Sequence, residues 1–174
     1  MVMENLTFAE LAKERYSVRK YKSQPVEQSK LEKLLDTMRI APTAGNRQPH
    51  RIRVITDADE LKMVDECTRC RFEAPLVFLV CYDKNAVWVR DKFDNAMSGE
   101  VDASIVTTFL MMQAQELGLG SCWVMFFDPA KTRELFALPE NIVPVAFMPV
   151  GYPAEDAEPA PRHFERLALK DILF

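Results

Sequence analysis

Apolar and polar positions alternate along the chain in blocks that predict helices and strands in turn. Thr7-Phe8-Ala9-Glu10 has the pattern of a capping box, so a helix is expected from Phe8 to about Glu14. Leu31, Leu34, Leu35 and Met38 recur at helical spacing and predict an amphipathic helix from about Glu27 to Arg39, stopped by Pro42. Arg51 to Thr56 alternates around Ile52 and Val54 and reads as a strand, and about Asp59 to Phe72 reads as a helix. Leu76 to Cys81 is uniformly apolar, the pattern of a strand covered on both faces. Tyr82 to Ser98 is polar and irregular.

The segment from Glu100 to Leu117 is a long helix whose apolar residues cover nearly the whole circumference. Such a helix has to be buried on all sides, and a chain of 174 residues offers little volume for that, so a subunit interface is expected there. Gly118 and Gly120 end it. Ser121 to Phe127 reads as a buried strand, Asp128-Pro129 opens a short helix, and Val143 to Val150 is a further apolar strand turned by Gly151-Tyr152-Pro153. Ala154 to Pro161 is proline-rich and acidic, an extended arm, and Leu167 to Phe174 alternates enough to be a terminal strand. The expected organisation is a single domain over 1–174, with 154–174 as a C-terminal arm. Its class is α/β in order of elements, a central mixed β-sheet flanked by helices. Gly118-x-Gly120 leads into a strand and not a helix, so it is no Rossmann phosphate loop.

Composition changes this picture little. At 48% hydrophobic and 28% charged the chain is not disordered, and a net charge of −4 does not suggest a nucleic-acid surface. Met1 to Arg15 has no continuous apolar run and carries Glu4, Glu10 and Glu14, so no leader is expected. The long helix is too polar to span a bilayer, and a cytoplasmic location follows by default. Cys67-x-x-Cys70 lacks the second pair that a zinc site would need, and it falls inside a predicted helix, so reduced structural thiols are expected and no metal.

Two stretches carry the candidate chemistry. Arg15-Tyr16-Ser17-Val18-Arg19 offers fixed cations and a hydroxyl, and Pro42-Thr43-Ala44-Gly45-Asn46-Arg47-Gln48-Pro49 offers small residues, side-chain amides and a turn. Singly, each has an ordinary reading: arginines on a surface, a turn at Gly45-Asn46, core packing for Trp123, Met125 and Phe126.

In this order and spacing the two stretches resemble the paired signature of the nitroreductase family of flavin enzymes. The resemblance resumes at Glu116-Leu117-Gly118-Leu119-Gly120-Ser121-Cys122-Trp123, at Leu138-Pro139-Glu140 and Pro149-Val150-Gly151-Tyr152-Pro153, and ends at His163-x-x-Arg166. It implies a homodimer binding FMN at its interface and moving hydride from NAD(P)H through the flavin to nitroaromatic or quinone-type acceptors by a ping-pong mechanism. Arg15, Ser17 and Arg166 match the phosphate-contacting positions, with Tyr16 between them as a further cofactor-binding residue, and Arg19 matches the cation near the pyrimidine edge. Pro42, Thr43, Ala44, Gly45, Asn46 and Gln48 match the loop laid on the flavin by the partner chain. Val124, Met125 and Phe126 match the segment passing the flavin's N5, and Gly151 belongs to the following motif. No side chain is expected to act as nucleophile or obligatory base.

Two departures bear on substrate. The excursion between the strand at Leu76 and the long helix is short, with Trp88, Arg90 and Phe93 as candidates for an acceptor pocket. The N5 segment has no glycine. Alternative readings are other flavin chemistry of the same superfamily, such as reductive dehalogenation, and a non-enzymatic FMN-binding module.

Overall fold

Local signals set most element ends in the computed structural model, which describes residues 6–174; Met1–Asn5, the start of the stretch considered for a leader, lie outside it. Helix α1 spans Phe8–Glu14, with the Thr7 and Glu10 side chains bonded reciprocally to each other's backbone. Helices α2 (Gln28–Arg39), α3 (Ala58–Cys67), α4 (Gly99–Glu116) and α5 (Pro129–Leu135) follow. The carboxylates of Asp57 and Asp128 accept the first free N–H groups of α3 and α5. Gly118, at φ 72°, closes α4 by a Schellman turn: its N–H donates to Gln115 O and the Leu119 N–H to Ala114 O.

Strands β1 (His50–Ile55), β2 (Leu76–Asp83), β3 (Gly120–Ser121) and β4 (Ile142–Gly151) form one sheet in the order β1-β2-β4-β3. Its ladders are all antiparallel, and among the described residues the parallel component is a single bridge between Ser17 and Ser121. Register shifts between Val80 and Cys81, leaving Val145 unopposed beside Pro144, whose nitrogen cannot donate to a ladder.

The uninterrupted apolar run of β2 is explained by helices on both sides of the sheet. Leu76, Phe78 and Val80 pack with Met148 and Val150 against α2 and α4. Val77, Leu79 and Cys81 pack with Phe147 against α3 and the end of α5. Each fully buried large side chain contributes about 1.5–3 kcal/mol. No helix among the described residues is long and apolar enough to cross a membrane.

The structure corrects three of the expectations. Helix α3 stops at Cys67, because Thr68 turns extended and its hydroxyl bonds Phe126 O and the Cys70 N–H; the C-x-x-C pair therefore straddles a helix end. All four thiols are free, with burial raising the pKa of Cys67 and Cys122 and pushing Cys81 up to about 12. The expected strand over Ser121–Phe127 is reduced to Ser121 and a bridge at Val124, since the Phe127 N–H turns back to Met125 O. The expected strand over Leu167–Phe174 has no strand to pair with among the described residues and forms one 3₁₀ turn, Leu169–Asp171, with its side chains exposed. Within the single chain helix α4 is covered on one side, as expected of a helix too apolar for one subunit to bury: Val101 is 62% exposed, and Ile105, Phe109 and Met112 are partly so.

Candidate functional site

An extended rail and a returning arm build a basic cleft. After α1 the backbone straightens at Arg15, Ser17 bridges Ser121, and the Val18 N–H donates to Ser121 O at 3.0 Å. Side chains alternate along extended backbone, so Arg15, Ser17 and Arg19 share one side while Val18, 1% exposed, points to the other. Val18 sits directly on Gly120, where a Cβ would lie 2.5 Å from Val18 Cγ2. Glycine at 120 is therefore what lets the rail approach β3.

Beyond β4 the chain runs back along the rail. The Lys22 N–H donates to Tyr152 O and the Ala154 N–H to Lys20 O, and the Tyr16 hydroxyl donates to Ala157 O at 3.1 Å. This return brings Ala160, Arg162, His163 and Arg166 opposite Arg15, Ser17 and Arg19, enclosing a cleft of about 250 Å³. Among the described residues none of the four arginines lies within 4 Å of a carboxylate; Asp156 and Glu155 of the arm pair with Lys20 and Lys22 instead. Burial, and then the Arg166 guanidinium, lower the pKa of Arg15, which remains charged at neutral pH. Like charges gathered without a counterion, next to a serine hydroxyl, suit a dianion with several acceptor oxygens.

The 42–48 loop is built separately. Gly45, Asn46 and Gln48 all have positive φ, a crowding of left-handed residues that other contacts have to hold. Thr43 accepts the Asn46 N–H on its carbonyl and the Gln48 N–H on its hydroxyl. The anchor is Asp102 of α4, 1% exposed, whose Oδ1 accepts the Ala44 N–H at 2.8 Å and whose Oδ2 accepts the Ser98 hydroxyl at 2.7 Å. Ser98 Oγ in turn accepts the Trp88 N–H, tying the short excursion to the same knot. Pro42, Thr43, Ala44, Gly45, Asn46 and Gln48 thus gather at the start of α4, and none of them lines the basic cleft of the same chain. Asn46 and Gln48 are exposed.

The remaining candidates divide. Val124 is buried, and both its N–H and its carbonyl are committed to Phe147, so its backbone has no free donor. Met125 and Phe126 are 70% and 66% exposed, with the Arg69 guanidinium 5.3 Å from the Phe126 ring centre. Gly151 is a packing glycine: a Cβ there would lie 2.9 Å from Pro75 Cδ. Trp123 Nε1 and His50 Nδ1 are buried without a hydrogen-bond partner among the described residues. Burial, then Arg51, lowers the His50 pKa and favours the neutral ring. Arg162 and Asp102 were not singled out from the sequence. An acid inside an otherwise apolar helix was the available signal for Asp102, whereas Arg162 gains meaning only when the arm folds back.

The model of the nitroreductase family matches residues 12–72 and 69–152 of this chain. A nitroreductase family protein from Clostridium difficile 630 has a crystal structure that superposes with a TM-score of 0.91 at 45% identity, covering 97% of this chain and 98% of that one. An FMN-dependent nitroreductase from Clostridium difficile R20291 superposes at 0.72 with 27% identity, covering 90% and 96% of the two chains. An NADH dehydrogenase from Thermus thermophilus is 28% identical over 190 residues, which cover 91% of this chain and 93% of its own.

Proposed function

The chain belongs to the nitroreductase family, and from that premise we propose that it is an NAD(P)H-dependent FMN oxidoreductase acting on nitroaromatic or quinone-type acceptors. The observation that carries this reading is the basic cleft, whose arginines and serine fit a flavin phosphate and have no carboxylate partner among the described residues. Bound there, FMN would supply the redox chemistry for hydride transfer from NAD(P)H to the acceptor. Arg15, Ser17 and Arg166 hold the phosphate, with Tyr16 steadying the arm behind them. Arg19, at the far end of the rail, would face the ring system, where a cation favours added electrons. Met125 and Phe126, exposed side by side, would border the reacting edge and limit which acceptors stack there; Val124 supports them from the sheet.

A second copy of the chain completes the site. Val101, Ile105, Phe109 and Met112 leave an apolar side of α4 uncovered, and the loop at 42–48 presents its exposed amides outward. A homodimer burying more than about 2,000 Å² covers this face and lays the loop on the other chain's flavin. Sedimentation at micromolar concentration should show a dimer, and a stable flavin-loaded monomer would contradict the assignment.

Donor and acceptor take turns at one flavin face in this scheme. Initial rates against NAD(P)H at several menadione concentrations should therefore give parallel lines. Intersecting lines would contradict the shared face. Bleaching of the bound flavin by neither NADH nor NADPH would remove the enzymatic reading.

A further inference from the structure

The two halves of the basic cleft are joined unequally to the rest of the molecule. Arg15, Ser17 and Arg19 stand on a rail pinned to β3, whereas Arg162, His163 and Arg166 stand on the arm. The arm is held by the Ala154 N–H to Lys20 O, by the Tyr16 hydroxyl to Ala157 O, and by an edge contact of the Tyr16 and His163 rings at 6.2 Å. Its two ion pairs, Lys20–Asp156 and Lys22–Glu155, are solvent-exposed and contribute little. Among the described residues, every hydrogen bond made by residues beyond Ala157 stays inside the arm. Phe164, Leu167, Leu169, Ile172 and Leu173 are between 59% and 75% exposed, so among the described residues these large apolar side chains do not anchor it to the core. Across the cleft, like charges oppose closure.

We propose that the ligand's phosphate is the fastener of this arm: its oxygens bridge Arg15 and Ser17 on the rail to Arg162 and Arg166 on the arm, with Arg162 a further phosphate ligand and Tyr16 a positioning residue that keeps the arm at hand. The inference rests on the FMN reading of the cleft. A dianion placed between the two halves turns their repulsion into shared attraction. Closing the arm and binding the phosphate are then linked, each strengthening the other by the same factor. Riboflavin, which lacks the phosphate, cannot fasten the arm.

Chymotrypsin tests this on the whole protein, because Phe164 and Leu167 are exposed and uncharged cutting sites in the arm. Loss of the residues beyond them is read by intact mass, with the flavin-free protein compared against protein saturated with FMN, with riboflavin, and with millimolar inorganic phosphate. FMN should slow arm cleavage roughly 10- to 100-fold, as expected when a ligand present well above its dissociation constant suppresses local opening. Inorganic phosphate should protect partly and riboflavin not at all. Arg162→Gln should lose most of the protection by inorganic phosphate. Tyr16→Phe should speed cleavage of the flavin-free protein about fivefold, the equivalent of one lost hydrogen bond, and leave the FMN-saturated rate slow. Equal cleavage with and without FMN, in protein whose spectrum shows flavin bound, would overturn the strap and leave the FMN reading standing. Protection by riboflavin equal to that by FMN would overturn it too. In protein that binds no flavin, the FMN reading fails by itself, and inorganic phosphate decides whether the arm responds to the anion: protection supports the strap, and no protection overturns it.

Discussion

Arg15→Ala should weaken FMN binding roughly 10- to 150-fold, the equivalent of one charged hydrogen bond of about 1.5–3 kcal/mol. Arg15 faces the cleft from the fixed rail and is partly withdrawn from water, so its contact with a phosphate is poorly screened. Arg166→Ala should cost a comparable factor, reduced if Arg162 takes over part of its role. Arg19→Ala should behave differently, with a smaller loss of affinity and a larger fall in the midpoint potential of the bound flavin. Fluorescence titration and spectroelectrochemistry of the three variants separate these roles. An unchanged dissociation constant in Arg15→Ala would move the phosphate elsewhere.

Asp102→Ala should destabilise the protein by about 2–6 kcal/mol, because it orphans the part-buried Ala44 N–H and the buried Ser98 hydroxyl, at about 1–3 kcal/mol each. For a chain of this size that corresponds to a fall in Tm of roughly 5–15 °C. Asp102→Asn should cost less, since its carbonyl still accepts from Ala44. The loss should exceed that of a surface substitution in α4 and should also lower flavin affinity, because the 42–48 loop loses its anchor. Thermal unfolding with flavin titration checks both. A normal Tm with normal flavin binding would mean that the loop is held by its own turns.

The sequence made the helices and the central strand legible where one local interaction decides them. The Thr7–Glu10 box set α1, Asp128-Pro129 set the start of α5, and the unbroken apolar run of β2 announced cover on both faces. The apolar run after Ser121 was misleading because packed irregular chain and strand share that composition, and only Val124 finds a bridge. Alternation over Leu167–Phe174 carried no information about a pairing partner. In the site, the two-residue period of Arg15, Ser17 and Arg19 was visible, but its direction depends on Gly120, far along the chain, which admits Val18. Arg162 and Asp102 had no local signature of their role, since each acts on a segment brought near only by the fold.

The central claim is that the basic cleft grips the phosphate of FMN. It is tested most directly by titrating the flavin-free protein with FMN and with riboflavin under the same buffer and salt. The account predicts that FMN binds at least about 100-fold more tightly, because riboflavin forgoes several charged hydrogen bonds to the cleft. Equal affinity for the two flavins, or binding of neither, would contradict it.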